Sequence, residues 1–154
     1  MMMSLSFDVI AALAGKTLVT AESCTGGGIG AALTSVPGSS RVFKGGIVSY
    51  TNDVKINQLQ VPSELLDREG AVSSEVAEAM AVGARKVLSA DIAVSVTGLA
   101  GPDGDDRGNP VGTVFVGYAD QTCVCSREFH FSGDRDLVRN QAVNAALQMI
   151  LQMQ

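Results

Sequence analysis

The stretch Thr17-Leu18-Val19-Thr20-Ala21-Glu22-Ser23-Cys24-Thr25-Gly26-Gly27-Gly28 decides how the chain folds. A short apolar run ends in a polar cluster, and three glycines then open a helix-like pattern. This order predicts a strand, a tight turn and a helix. Glycine lets the backbone approach a ligand, and the free N–H groups of a new helix attract an anion. The turn also carries two hydroxyls and a thiol, any of which can attack an electrophile. The alternative is an ordinary helix start that binds nothing.

The composition indicates one domain, over residues 1–154, with a closely packed interior. Hydrophobic residues make up 46% of the chain and aromatic residues 5%, with no Trp, so small aliphatic side chains must fill the core. The net charge of -5, without a basic run, argues against nucleic acid as a partner. No stretch approaches the roughly 20 apolar residues that a membrane span needs. Residues 1–15 lack the features of an export signal, and we therefore expect a reduced, cytoplasmic protein.

The sequence predicts neither a metal site nor a cofactor. The chain has one His, His130, and no C-x-x-C motif. Cys123 and Cys125 alternate within a predicted strand, where we expect small core residues. The glycines from Gly26 onward match the G-x-G-x-x-A pattern of dinucleotide-binding proteins. That fingerprint requires its first glycine directly after the strand, whereas four residues intervene here.

Hydrophobic periodicity predicts helices that alternate with strands, followed by a late hairpin. The predicted helices cover residues 4–14, 26–36, 54–59, 62–70, 74–88 and 134–153. The predicted strands cover residues 17–21, 46–51, 91–97, 112–119 and 122–131. This order predicts a three-layer α/β/α sandwich with a mixed, mostly parallel sheet.

Three predicted loops follow strand ends and are candidates for a site. They cover residues 22–28, 50–55 and 98–110. In an open α/β sheet, loops after parallel strands gather at one edge, where ligands bind. We therefore expect Ser23, Tyr50, Lys55, Thr97 and Gly98 to lie close together.

Lys55 falls in the first turn of a predicted helix, where the helix dipole disfavours a cation by a few tenths to ~1 kcal/mol. A desolvated lysine there would have a lowered pKa and could serve as a general base. The alternative is an exposed lysine paired with Asp53. Arg135, at the start of the last predicted helix, could clamp a phosphate or pair with a carboxylate. We expect His130 to be structural.

Six segments of the chain resemble the CinA carboxy-terminal-domain family, in the family's order. They are Ala21-Glu22-Ser23-Cys24-Thr25-Gly26-Gly27, Gly46-Ile47-Val48-Ser49-Tyr50-Thr51-Asn52, Gly70-Ala71-Val72-Ser73, Thr97-Gly98-Leu99-Ala100-Gly101-Pro102-Asp103-Gly104, Pro110-Val111-Gly112-Thr113-Val114 and Phe131-Ser132-Gly133-Asp134-Arg135. The resemblance implies a three-layer sandwich with a mixed sheet. It also implies hydrolysis of the carboxamide of nicotinamide mononucleotide to nicotinic acid mononucleotide and ammonia. Longer family members carry an additional amino-terminal domain, which we expect this chain to lack.

The resemblance further implies that Ser23, Tyr50 and Lys55 form a Ser/Lys/Tyr amidase centre. An amide needs an activated nucleophile, an oxyanion stabiliser and a protonated leaving group. Ser23 would be the nucleophile, Lys55 its activator and Tyr50 a proton relay. We expect Cys24 to be a small buried residue, because a thiolate needs a nearby cation and the only His lies in a distant strand.

Other residues are expected to bind the substrate. The backbone around Thr25, Gly26 and Gly27 would form an oxyanion hole or hold the 5′-phosphate, and Arg135 is a second phosphate candidate. The expected partner is thus one small molecule, and a homo-oligomer is compatible with the sequence. The alternative function is a non-catalytic nucleotide-binding module linked to competence or DNA-damage responses.

Overall fold

The computed structural model describes residues 2–154, with side chains from residue 4 onward. Met1, part of the segment considered above for an export signal, lies outside the described residues. The helices are α1 (Met2–Ala12), α2 (Gly28–Thr34), α3 (Asn52–Leu59), α4 (Ser63–Glu69), α5 (Ser74–Val87) and α6 (Arg135–Gln152), with a short 3-10 turn at Ser39–Arg41. The strands are β1 (Leu18–Glu22), β2 (Phe43–Val48), β3 (Ile92–Gly98), β4 (Thr113–Ala119) and β5 (Val124–His130).

The strands form a mixed sheet in the order β2-β1-β3-β4-β5. Strand β1 lies between β2 and β3 and is parallel to both. Strand β4 runs antiparallel to β3, and β5 antiparallel to β4, as the predicted late hairpin requires. Strand β4 therefore runs against the other four strands. The predicted mixed, mostly parallel sheet is confirmed.

Helices cover both faces of this sheet. Because successive residues of a strand point to opposite faces, neighbouring residues belong to different cores. Val94 packs in the core formed with α1, α2 and α6, whereas Ala93 packs in the core formed with α3, α4 and α5. The predicted three-layer α/β/α sandwich is confirmed. Within the described part of the chain, no helix combines the length and the apolar character needed to span a membrane.

Two element boundaries near the glycine turn differ from prediction. Strand β2 ends at Val48, whereas the sequence predicts a strand over residues 46–51. Gly46 faces Thr20, and a Cβ there would lie 2.1 Å from the Thr20 hydroxyl oxygen, so this glycine allows β2 to approach β1. Helix α2 begins at Gly28 instead of residue 26, because Gly27 has a φ of 105°, outside the helical region.

Candidate active site

A cavity of about 690 Å³ opens at the carboxyl ends of β1 and β3. Its walls come from the three loops predicted to converge, together with α4 and the connector between α4 and α5. Six of the candidate residues line it: Ser23, Tyr50, Lys55, Thr97, Gly98 and Arg135. Thr25, Gly26 and Gly27 do not line this cavity. The loop rule for open α/β sheets therefore places the cavity correctly.

The floor of the cavity holds a direct contact between Ser23 and Lys55. The Ser23 N–H donates to the Val96 carbonyl at 3.0 Å, which ties the residue after β1 to strand β3. Lys55 projects from α3 on the same side as Leu59, one turn later, and both are buried. The ammonium Nζ of Lys55 lies 3.0 Å from Ser23 Oγ. This is the distance over which a base can accept a hydroxyl proton.

Lys55 is 1% exposed, and its other hydrogen bonds go to neutral groups. It donates to the carbonyls of Ser49 at 2.8 Å and Tyr50 at 3.3 Å. Both carbonyls are available because they follow the end of β2 at Val48. The predicted alternative partner, the Asp53 carboxylate, instead accepts from the Thr51 hydroxyl. No ion pair of Lys55 occurs within the described residues.

Burial without a counter-charge lowers the pKa of Lys55 from 10.5 to about 8, because desolvation penalises the ammonium form. The neighbouring Cys24 opposes this slightly by raising the pKa. At pH 7 about one lysine in ten is then neutral. A neutral amine at hydrogen-bond distance from a hydroxyl can act as its general base.

Cys24 is also buried, and burial shifts its pKa upward, opposite to the shift of Lys55. Burial raises the pKa of its thiol to about 11, although Arg139 and Lys55 nearby lower it. The thiolate is the nucleophilic form of cysteine, and it is scarce at neutral pH when the pKa is this high. Ser23 therefore has the better activated side chain of the two adjacent residues.

Tyr50 and Arg135 lie at the mouth of the cavity. The Tyr50 side chain is 56% exposed. Its hydroxyl accepts a hydrogen bond from an Nη of Arg135 at 3.0 Å. The other Nη of Arg135 donates to the Gly101 carbonyl. Arg135 thereby joins the start of α6, the loop after β3 and Tyr50 into one side of the entrance.

Thr97 and Gly98 end β3 and shape the wall of the cavity. The Thr97 hydroxyl donates to the Ala71 carbonyl at 2.7 Å, which fixes the connector that precedes α5. Gly98 pairs with Val114, and a Cβ at Gly98 would lie 2.7 Å from the Val114 side chain. Both residues therefore have a structural contact as well as a place in the cavity lining.

The start of α2 is occupied by the chain's own Glu22. This carboxylate accepts from the N–H groups of Ile29 at 2.9 Å and Gly30 at 3.0 Å. It also accepts from the hydroxyl of Thr25 at 2.7 Å, so the Thr25 side chain turns away from the cavity. The glycine pattern predicts that these N–H groups bind the anion of a ligand. In the structure the carboxylate of Glu22 accepts from two of them and caps the helix.

Three charged residues near the cavity were not predicted from the sequence to have a role in the site. Glu22 has been described. Arg139 donates to the carbonyls of Cys24 at 3.0 Å and Thr25 at 3.3 Å. Arg107 donates to the carbonyls of Asp67 and Arg68, which attaches the long loop to α4. The spacing of Arg139, one helical turn after Arg135, was the available signal for it.

The residues considered for metal binding lie elsewhere. His130 is exposed on β5, where its Nε2 lies 2.7 Å from the Glu128 carboxylate. Cys123 and Cys125 are free and half-buried. Within the described residues, no group of three or more His, Cys, Asp or Glu side chains could hold a metal ion.

Comparison with known proteins adds independent information. The chain is 55% identical over 125 residues to a CinA-like protein of Geobacter sp. (strain M21), with 81% of this chain and 30% of that protein covered. It is 52% identical over 136 residues to the nicotinamide-nucleotide amidohydrolase PncC of Pseudomonas putida, with 88% and 85% covered. The chain thus spans less than a third of the Geobacter relative and most of the Pseudomonas one.

Solved structures show the same fold. The competence damage-inducible protein A (ComA) from Klebsiella pneumoniae subsp. pneumoniae MGH 78578 superposes with a TM-score of 0.96 at 35% identity, with 98% of this chain and 95% of that one covered. The competence/damage inducible protein CihA from Agrobacterium tumefaciens gives 0.94 at 39% identity, with 98% and 94% covered. The family model of the CinA C-terminal domain matches residues 4–154. The chain therefore belongs to the CinA C-terminal domain family.

Proposed function

We propose that the chain is a serine–lysine amidohydrolase that converts nicotinamide mononucleotide to nicotinic acid mononucleotide and ammonia. The observation that carries this proposal is the 3.0 Å contact between Ser23 Oγ and the buried Lys55 Nζ. The 52% identity to a protein named nicotinamide-nucleotide amidohydrolase, over most of both chains, supports the choice of substrate.

In the first half of the reaction, neutral Lys55 accepts the hydroxyl proton of Ser23 while Oγ bonds to the carboxamide carbon. The carbon–nitrogen bond of the resulting tetrahedral intermediate then breaks. The proton held by Lys55 passes to the departing nitrogen, so that ammonia leaves and an ester of Ser23 remains. The low pKa of Lys55 suits both transfers, because a base near the working pH can also return the proton.

In the second half, water replaces the serine. Lys55 accepts a proton from the water as its oxygen bonds to the ester carbon. The bond between that carbon and Oγ breaks, and Lys55 returns the proton to Ser23. The net change is one amide and one water converted to one acid and one ammonia.

The oxyanion requires a hydrogen-bond donor close to Ser23. The N–H of Cys24 is the nearest backbone candidate, because it belongs to the residue after the nucleophile and Cys24 lines the cavity. Among the turns and loops of the described part of the chain, this N–H donates to no backbone carbonyl. Tyr50 is assigned a proton-relay role at the entrance, where Arg135 orients its hydroxyl.

The 5′-phosphate of the substrate needs a binding group separate from the oxyanion donor. Glu22 fills the start of α2, which would otherwise suit an anion. Arg135 is therefore our phosphate-binding residue, since its guanidinium lines the cavity and is a strong donor to phosphate. Thr97 and Gly98 would contact the substrate from the end of β3.

Ammonia release tests the proposal directly. Purified protein is incubated with nicotinamide mononucleotide in the presence of EDTA, and ammonia and nicotinic acid mononucleotide are quantified. We expect equal amounts of both products, and none from Ser23→Ala. Saturable binding of the nucleotide without turnover would favour the non-catalytic binding module. Activity that EDTA removes and zinc restores would contradict the metal-free mechanism.

A further inference from the structure

Glu22 is a buried acid that the proposed reaction does not use. It is 2% exposed and does not line the cavity. Its carboxylate receives hydrogen bonds from Thr20, Thr25, Ile29 and Gly30, at 3.5, 2.7, 2.9 and 3.0 Å. All four partners donate, which is what an ionised carboxylate with two acceptor oxygens satisfies. Such complete pairing of a buried charge next to Ser23 indicates a specific role.

The contacts of Glu22 span the segment that carries Ser23. Glu22 ends β1, and the residues it binds at the start of α2 lie seven and eight positions later. The N-cap residue of α2 is Gly27, which has no side chain to cap the helix. Glu22 supplies that cap from the strand and so closes residues 22–30 into a loop. Ser23 therefore cannot shift without disturbing contacts of a rigid strand or a helix.

Arg139 contacts the backbone of the same segment. Its guanidinium extends from α6 and donates to the carbonyls of Cys24 and Thr25. Thr25 is thus fixed twice, through its hydroxyl by Glu22 and through its carbonyl by Arg139. The Glu22 carboxylate and the Arg139 guanidinium together restrain the side chain and the backbone of this segment.

We propose that Glu22 is a positioning residue that holds Ser23 Oγ at hydrogen-bond distance from Lys55 Nζ, and the Cys24 N–H in place for the oxyanion. The inference rests on the proposed function in that Ser23 is taken as the nucleophile. Glu22 acts through the backbone of residues 23–30 and touches no substrate, because its carboxylate lies outside the cavity lining.

Glu22→Gln separates the acceptor capacity of the group from its shape. The glutamine amide has one oxygen and one NH2 group, so it presents a donor to one of the partners that themselves donate. One N–H at the start of α2 then loses its acceptor, and residues 23–30 relax. A displacement of about 1 Å in a catalytic group costs on the order of a hundredfold in rate. We expect kcat to fall by about ten- to a hundredfold, with KM changed by less than about twofold.

The experiment uses two readouts at Ser23. One is kcat and KM for ammonia release from nicotinamide mononucleotide. The other is the rate at which a fluorophosphonate labels Ser23, located by mass spectrometry. Asp91→Ala is the matched control, because Asp91 accepts from the Thr17 N–H at 2.8 Å and hydroxyl at 3.1 Å, at the amino end of β1. All proteins are assayed well below the lowest Tm of the set.

The proposal is supported if Glu22→Gln lowers kcat and labelling together and Asp91→Ala leaves both within about twofold. It is overturned if Glu22→Gln is labelled at the wild-type rate. It is also overturned if Asp91→Ala lowers kcat and the labelling rate as much as Glu22→Gln does. Should wild type label at Ser23 but release no ammonia, the proposed function fails and labelling alone decides the role of Glu22. Should Glu22→Gln not fold, Thr25→Val removes one donor to Glu22, and unchanged labelling of that variant overturns the proposal.

Discussion

Replacing Lys55 with methionine should change how stability depends on pH. Methionine keeps the unbranched apolar stem and removes the amine, which lies buried against the hydroxyl of Ser23 and two backbone carbonyls. Lost packing and lost hydrogen bonds shift the free energy of unfolding by an amount that does not depend on pH. The titration of Lys55 adds a contribution to the free energy of unfolding that does depend on pH, and this contribution can be calculated.

The magnitude follows from the fall of the pKa of Lys55 from 10.5 to about 8. Well below pH 8 the lysine is protonated in both folded and unfolded protein, and folding bears the full desolvation penalty of about 3 kcal/mol. As pH rises from 8 to 10.5, the folded state releases its proton first, so the unfolded state binds more protons and stability increases. Between pH 7 and pH 9.5 wild type should therefore gain about 2 kcal/mol relative to Lys55→Met.

Urea unfolding of both proteins at pH 7, 8, 9 and 9.5 measures this difference. Cys24 titrates in the opposite sense, because burial raises its thiol pKa to about 11 and stability then falls above pH 9. That contribution is present in both proteins and largely cancels in their difference. Parallel curves for wild type and Lys55→Met would refute the reasoning, since they would mean that Lys55 titrates alike in folded and unfolded chains.

Three further predictions concern catalysis. The kcat/KM of wild type should rise with pH and level off with an apparent pKa of about 8, because neutral Lys55 is the active base; a flat profile between pH 6 and 9 would contradict this. Ser23→Ala should lose deamidation with a nearly unchanged Tm, whereas Cys24→Ser should keep most of the activity, as ammonia release and thermal melts will show. The reverse pattern would indicate a thiol mechanism. Arg135→Ala should lower kcat/KM for nicotinamide mononucleotide about tenfold or more beyond its effect on nicotinamide riboside, the cost of a charge-assisted hydrogen bond to phosphate. A loss through Tyr50, whose hydroxyl Arg135 orients, is common to both substrates. Equal losses for both substrates would remove Arg135 from the phosphate site.

Local sequence predicted the part of the site that follows from strand ends. Ser23, Lys55 and Thr97 were expected together because loops after parallel strands meet at one sheet edge, and they do line one cavity. The chemical type of these residues was informative as well. A lysine in a first helical turn attracts notice because the helix dipole disfavours a cation there.

Contacts between distant parts of the chain could not be predicted. Whether Lys55 is buried or paired with Asp53 depends on where β2 stops, and a strand prediction cannot fix that boundary within two or three residues. Arg139 meets Thr25 across 114 positions, and Arg135 meets Tyr50 across 85. Such pairs depend on how α6 packs over the sheet, which hydrophobic periodicity does not specify.

The early end of β2 has an electrostatic consequence for the amine. Because the carbonyls of Ser49 and Tyr50 face Lys55 where a carboxylate would be the usual partner, the amine is solvated by permanent dipoles of zero net charge. Mobile ions screen exposed charges within about 10 Å at 0.1 M salt, but they act weakly on a buried contact between a charge and a dipole. The basicity of Lys55 should accordingly stay constant from dilute buffer to high salt, and the protein would keep the same pH dependence in cells of very different ionic content.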